Sequence, residues 1–223
     1  MTLYESLIGT LEAELAAVAG VFADLTPDQW RRSTLLVPVN PDLLKWTVFE
    51  LAGHFDISIG LTRMLIAEPE EVQPARDRTS FFINPRSETG PVVYSYAYTM
   101  VEGKTPAEMP GVLAETFTRT ISEARAVPAD LVGPGYFAPM RVDEFVASRI
   151  VEAVVHGIDL AQAVGMPYFA TADGIAVTAG ILDDLLARRT TGRRPAALSD
   201  DLDWILAASG RAPSDDNRLP LIG

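Results

Sequence analysis

Apolar residues recur at helical spacing over residues 2–24, where Leu3, Leu7, Leu11, Leu15, Val18 and Phe22 mark one stripe. Thr2 with Glu5 three positions later reads as a capping box, and Leu25-Thr26-Pro27-Asp28 ends the helix. Trp30 is expected to pack beneath the loop that follows. A second stripe, Val48, Leu51, Phe55, Ile59 and Leu61, predicts a helix over 47–67, opened by Trp46 and Thr47 and closed by Pro69. Thr105-Pro106-Ala107-Glu108 places a cap residue, a proline and an acid at a helix start. That third helix runs to Val127 and carries Leu113, Phe117 and Ile121. The fourth spans Val142 to Val164 and is stopped by Gly165 and Pro167.

The connections are less regular. Pro38, Asn40 and Pro41 make residues 31–44 a loop, and Pro128, Gly133, Pro134, Gly135 and Pro139 make another. Residues 69–104 are broken by Pro74, Pro85, Gly90, Pro91 and Gly103; within them Val92 to Met100 fits a short strand or a helical turn. A connection this long usually does something, such as covering a site. Further helices are expected at 172–189 and 200–209. The pattern predicts a mainly α fold: an antiparallel four-helix bundle over residues 1–168, with residues 169–223 as a small, mostly helical C-terminal extension packed on it.

Composition narrows the chemistry. The 223 residues carry a net charge of −12, which disfavours nucleic acid and anionic lipid as partners. The one basic run, Arg188, Arg189, Arg193 and Arg194, is short, lacks interleaved aromatics and reads as a solvated helix end. With no cysteine, any metal must be held by nitrogen and oxygen, and any thiol must come from outside. No apolar run reaches the roughly 18–20 uninterrupted residues of a membrane span, and no secretory signal is visible, so a cytoplasmic protein is expected.

There are only two histidines, His54 and His156, each in the middle of an apolar predicted helix. Glu152 precedes His156 by four residues, so the two share one helical face. His54 from the second helix and this pair from the fourth supply three ligands for one divalent metal, leaving a coordination position open as catalytic sites do. The spacing alone equally suits an ion pair or a satisfied core histidine. Asp159, three residues after His156, either orients that imidazole from behind or pairs locally, and Arg149 is a second candidate for the shell around the ligands. Glu50 and Asp56 flank His54 and read as solvated or supporting groups. Tyr94, Tyr96 and Tyr98 suit strand packing or a pocket wall, and Arg211 is placed to reach an acidic substrate or to remain in solvent. No G-x-S-x-G, Gly-rich phosphate loop or H-E-x-x-H occurs, so serine-hydrolase, kinase and dinucleotide chemistries lack support.

At these residues the chain resembles the DinB-like four-helix metalloprotein superfamily, in particular its mycothiol-dependent maleylpyruvate isomerase branch. Trp46-Thr47-Val48 leading through Leu51 to His54 carries one part of the likeness. Ser148-Arg149-Ile150-Val151-Glu152, followed by His156-Gly157-Ile158-Asp159-Leu160, carries the other. Ser209-Gly210-Arg211 and the closing Leu219-Pro220-Leu221-Ile222-Gly223 are similar to the tails of family members. Residues 69–104 match no family pattern, and the C-terminal part is shorter than in the isomerase itself.

The resemblance implies a divalent metal, zinc, on His54, Glu152 and His156, mycothiol or a similar thiol as cosubstrate, and Arg211 as the group that holds a substrate carboxylate. A thiol lowered to its thiolate would add to a small electrophile, giving an S-transferase or a cis–trans isomerase. Three rival readings share the same residues. One is a hydrolase using a metal-activated water, another a non-haem iron site, and the third a non-catalytic metal- or ligand-binding bundle.

Overall fold

The computed structural model describes residues 2–36, 45–83 and 86–222. Pro38, Asn40 and Pro41 of the expected loop, together with Pro85 and Gly223, lie outside the described residues.

The first helix, α1 (Leu3–Ala23), begins where the sequence places it, because Thr2 and Glu5 satisfy each other's backbone N–H groups at 2.7 and 3.1 Å. Leu7, Leu11, Leu15, Val18 and Phe22 are buried, but Leu3, the first member of the stripe, is exposed. By length and composition α1 would also pass for a membrane span; here its apolar stripe is part of the core. A short helix α2 (Pro27–Trp30), capped by Thr26 and Gln29, turns Trp30 onto Phe22 with ring centroids 5.4 Å apart. The next long helix, α3 (Val48–Ala67), is capped by Thr47, whose backbone N–H donates to Glu50 at 2.7 Å. Glu50 is therefore a helix cap, which removes it from the possible supports of His54.

The stretch that fitted either a strand or a turn is a helix, α4 (Arg86–Val101). Its inward residues Tyr94, Ala97 and Val101 follow helical spacing, whereas Tyr96 is exposed. This helix packs on α3 at unusually close range. A Cβ at Gly53 would lie 2.5 Å from the Ala97 carbonyl oxygen, so glycine next to His54 is what lets the two backbones meet.

Helix α5 (Met109–Arg125) begins three residues later than the 105–108 signature predicts. Thr105 and Glu108 do pair, with the Glu108 carboxylate accepting the Thr105 N–H and hydroxyl at 2.7 Å each. They close a separate turn, because Pro110 has no N–H to donate back to Pro106 and continue a helix from there. A two-residue hairpin follows, β1 (Val132–Gly133) antiparallel to β2 (Met140–Arg141), inside the expected loop. Helix α6 (Val142–Val164) then runs to Gly165, whose left-handed φ of 74° ends it.

Helices α1, α5, α3 and α6 touch in a closed ring, α1 on α5, α5 on α3, α3 on α6 and α6 on α1. This is the bundle, and its interior holds the main apolar cluster. Outside it, α7 (Ala172–Thr190) lies against α6 and α1, and α8 (Asp201–Ala208) lies against α7. The Thr171 cap of α7 is tied to α1, because the buried carboxylate of Glu14 accepts the Thr171 backbone N–H at 2.7 Å and its hydroxyl as well.

The basic run lies at the end of α7 with Arg188, Arg189 and Arg193 exposed as expected, but part of it is also tied down. Arg188 forks onto Asp77 at 2.7 and 3.0 Å, Arg194 bridges Asp183 and Asp201, and Arg189 donates to the carbonyls of Phe82 and Leu221. These contacts stitch α7 to the 77–82 segment and to the C-terminal tail.

Candidate metal centre

His54 stands in the middle of α3, and Glu152 and His156 stand one turn apart on α6. Because α3 and α6 are neighbours in the ring, the three side chains converge. Glu152 Oε2 lies 3.3 Å from His54 Nε2 and 3.4 Å from His156 Nε2, and one donor atom from each residue falls within 4.8 Å of the others. The imidazole rings meet edge to face, with centroids 4.4 Å apart. His54 is backed by Trp46 at 5.0 Å, and Trp46 in turn stacks on Tyr94 at 4.4 Å.

Behind His156 is a second layer. His156 Nδ1 is 2.8 Å from Asp159 Oδ2, and the Arg211 guanidinium holds both oxygens of Asp159 at 3.0 and 2.8 Å. Arg211 also donates to the Ser209 carbonyl at 2.6 Å. Asp159 thus both hydrogen-bonds the imidazole and pairs with an arginine, contacts that suit either of its two expected roles. Arg211 does reach the site, but its fork is directed at Asp159.

Electrostatics follow from these contacts. Burial works to raise the Asp159 pKa, but Arg211 and His156 outweigh it and hold the carboxyl at about 2. Burial likewise opposes ionisation of Glu152, yet the two histidines and Arg149 keep its pKa well below the ordinary carboxylate range. His54 is pushed towards its neutral form by burial and by His156. For His156, burial favours the neutral ring, but the hydrogen bonds to Asp159 and Glu152 prevail and raise its pKa.

The donor set fits a cation. When Asp159 holds the Nδ1 proton, neutral His156 turns the Nε2 lone pair towards the Glu152 oxygen, and two acceptors 3.4 Å apart repel. Either a second proton on His156 or a cation among the three groups removes that conflict. Two imidazoles and a carboxylate suit zinc, and three protein ligands leave a position open. The three residues line a cavity of about 550 Å³.

The cavity wall mixes aromatic and aliphatic side chains. Tyr94 and Tyr96 line it but Tyr98 does not, while Phe81 and Phe137 contribute without having been singled out in the sequence. Only the folded 69–104 segment brings Phe81 there, so no local pattern could have announced it. Asp56 is not solvated: it is buried and accepts a hydrogen bond from Thr116 at 2.5 Å. Arg149 is buried in the cavity wall and touches none of the ligands' side chains at ion-pairing distance, though Glu152 acts on it through space.

Comparison with curated proteins returns no match, and comparison with solved structures returns none. The family model for the mycothiol maleylpyruvate isomerase N-terminal domain matches residues 11–161, a span that covers most of the bundle and all three convergent residues. On that match the chain belongs to the mycothiol maleylpyruvate isomerase N-terminal domain family.

Proposed function

We propose that the protein binds one divalent metal, zinc, through His54, Glu152 and His156, and uses it to activate a low-molecular-weight thiol, mycothiol, for addition to a small electrophile. The observation that carries this reading is the convergence of two imidazole Nε2 atoms on one carboxylate oxygen in the wall of a cavity. The metal, when bound, supplies a Lewis-acidic centre that favours the thiolate over the thiol.

The chain's own residues set up the rest. Asp159 keeps the proton on His156 Nδ1, so that Nε2 presents its lone pair to the site. Arg211 fixes Asp159 through a bidentate pair and is a positioning residue in this scheme. Trp46 packed against His54 and the Phe81 and Phe137 rings of the wall exclude water from the reacting carbon. The thiolate sulfur adds to that carbon. If the adduct rotates about the former double bond and expels the thiolate, the reaction is a cis–trans isomerisation. If the carbon beside the new C–S bond instead takes up the proton the thiol gave up, the adduct is released as a thioether and the reaction is an S-transfer.

The test begins with the metal content of the purified protein. Cobalt-substituted protein is then titrated with mycothiol while the thiolate-to-cobalt charge-transfer absorption is followed. Near-stoichiometric metal with a new band supports the reading. Metal without a thiol response shifts the reading to hydrolysis by an activated water or to a non-catalytic role, and failure to bind metal after reconstitution ends it.

A further inference from the structure

Besides the three convergent residues, the charged side chains that line the cavity among the described residues are Arg149, Arg189 and Arg211. Each is already engaged. The Arg211 fork holds both oxygens of Asp159 at 3.0 and 2.8 Å, so it does not hold the substrate carboxylate that the resemblance implied. Arg149 donates to Ser148 Oγ and to the Ser58 carbonyl, lies over the Phe81 and Phe145 rings, and feels the Glu152 carboxylate through space. Arg189 is exposed, donates to the carbonyls of Phe82 and Leu221, and has its charge screened by solvent.

Much of the remaining wall is apolar. Ile57 and Leu61 come from α3, Val93 from α4, Val151 and Val155 from α6, and Leu221 from the tail. Tyr94, Tyr96 and Tyr136 add phenols, which are neutral groups at ordinary pH. The centre itself has no charge to spare: a divalent cation, the Glu152 carboxylate and one thiolate sum to zero. At longer range the protein's net charge of −12 repels anions. A carboxylate carried into this wall would lose its water without gaining a counter-ion. An uncharged molecule meets no such cost, and a cavity of about 550 Å³ is of the size that takes a small ligand.

We propose that the electrophile handled at this site is an uncharged, apolar molecule, selected by the Ile57, Leu61, Val93, Val151 and Val155 wall rather than by an arginine. That the bound molecule reacts rests on the thiol-addition reading. That the cavity selects an uncharged apolar ligand does not.

The first test is binding to metal-free protein, using compounds that do not react. Benzotrifluoride and benzoate are similar in shape and differ in charge, and both are titrated by calorimetry. Benzotrifluoride is expected to bind at least about tenfold more tightly, because only the carboxylate must give up strong hydration. Leu61 is half-buried in the wall, so Leu61→Arg brings an unengaged cation to the cavity. In that variant the two affinities are expected to converge or change order.

The second test is turnover by metal-loaded protein with mycothiol. The substrates are the para-chloro derivatives of the same two compounds, with a nitro group on each side of the chlorine. The thiolate sulfur forms the C–S bond, chloride leaves with the C–Cl electron pair, and the thiol proton passes to the buffer. With each rate divided by its uncatalysed rate, kcat/KM is expected to favour the trifluoromethyl compound by at least about tenfold.

Benzoate binding as tightly as benzotrifluoride to the wild type overturns the proposal, as does failure of both to bind. So does equal or greater acceleration of the carboxylate substrate. An unchanged preference in folded Leu61→Arg also overturns it, because the ligand would then sit outside the cavity. Failure of the thiol-addition reading looks different. The cobalt–thiol band and the turnover of both chlorides would be absent, while the binding preference and its loss in Leu61→Arg would remain.

Discussion

Asp159 accepts the Nδ1 proton of His156 at 2.8 Å while Arg211, 52 positions further along the chain, grips both of its oxygens. The pair joins α6 to the segment after α8 and sets which nitrogen of His156 faces the cavity. Replacing Asp159 with Asn keeps the shape, removes the charge and leaves Arg211 buried at 7% side-chain exposure without its counter-ion. Metal affinity is expected to fall about 10–100-fold, the usual effect of losing such a partner. Competition with a chelating dye measures it, and an affinity equal to wild type in a folded variant would show that Asp159 does not tune the site.

His156→Ala removes one of the three convergent donors. The variant is expected to fold and to lose stoichiometric metal, because a carboxylate and a single imidazole seldom hold zinc against buffer. Elemental analysis after dialysis decides the point. Wild-type metal retention by the variant would mean that the ligands are elsewhere.

Gly53 permits the close approach of α3 and α4 next to His54. Gly53→Ala would place its Cβ 2.5 Å from the Ala97 carbonyl oxygen and 2.8 Å from Val101 Cγ1, so the helices must separate. A loss of about 1–3 kcal/mol is expected, the range for overpacking a core, even though alanine is the better helix former. Urea denaturation measures it. A gain in stability would show that α4 yields at no cost.

Asp77 ties α7 to the 77–82 segment. Burial works to raise its pKa, but the Arg188 fork and the hydrogen bonds from Ser80 outweigh it and bring the value to about 2. A carboxyl whose pKa is lower in the folded protein than in the unfolded chain adds stability above the unfolded pKa. That stability is lost as pH falls through the folded one. The window is therefore from about pH 4 down to about 2. Because the Asp77 side chain is 40% exposed, solvent screening limits the effect to roughly 1 kcal/mol or less. Thermal melts of Asp77→Asn across this range should show a shallower acid decline than wild type, with the two curves meeting at low pH.

Local information determined much of this protein. The hydrophobic stripes of α1, α3 and α6 and the Thr2–Glu5 cap are readable because helix periodicity and capping act within a few residues. The Glu152–His156 pair is readable for the same reason, since four residues on a helix bring side chains to one face. Where two local signals compete, the stronger covalent one prevails: Pro110 delays α5 despite the good cap at Thr105. The sequence left Val92 to Met100 open between strand and helix, and packing on α3 accompanies the helix.

Only the tertiary structure decided the rest. That His54 meets the Glu152–His156 pair depends on α3 and α6 being neighbours in the ring, across 98 positions of chain. That Arg211 grips Asp159, that Asp56 answers to Thr116 and that Arg149 is buried without a carboxylate beside it are likewise contacts between distant segments. A side chain's charge is written in the sequence, but its partner is chosen by which helices pack together, and that choice comes from burial of the whole apolar surface.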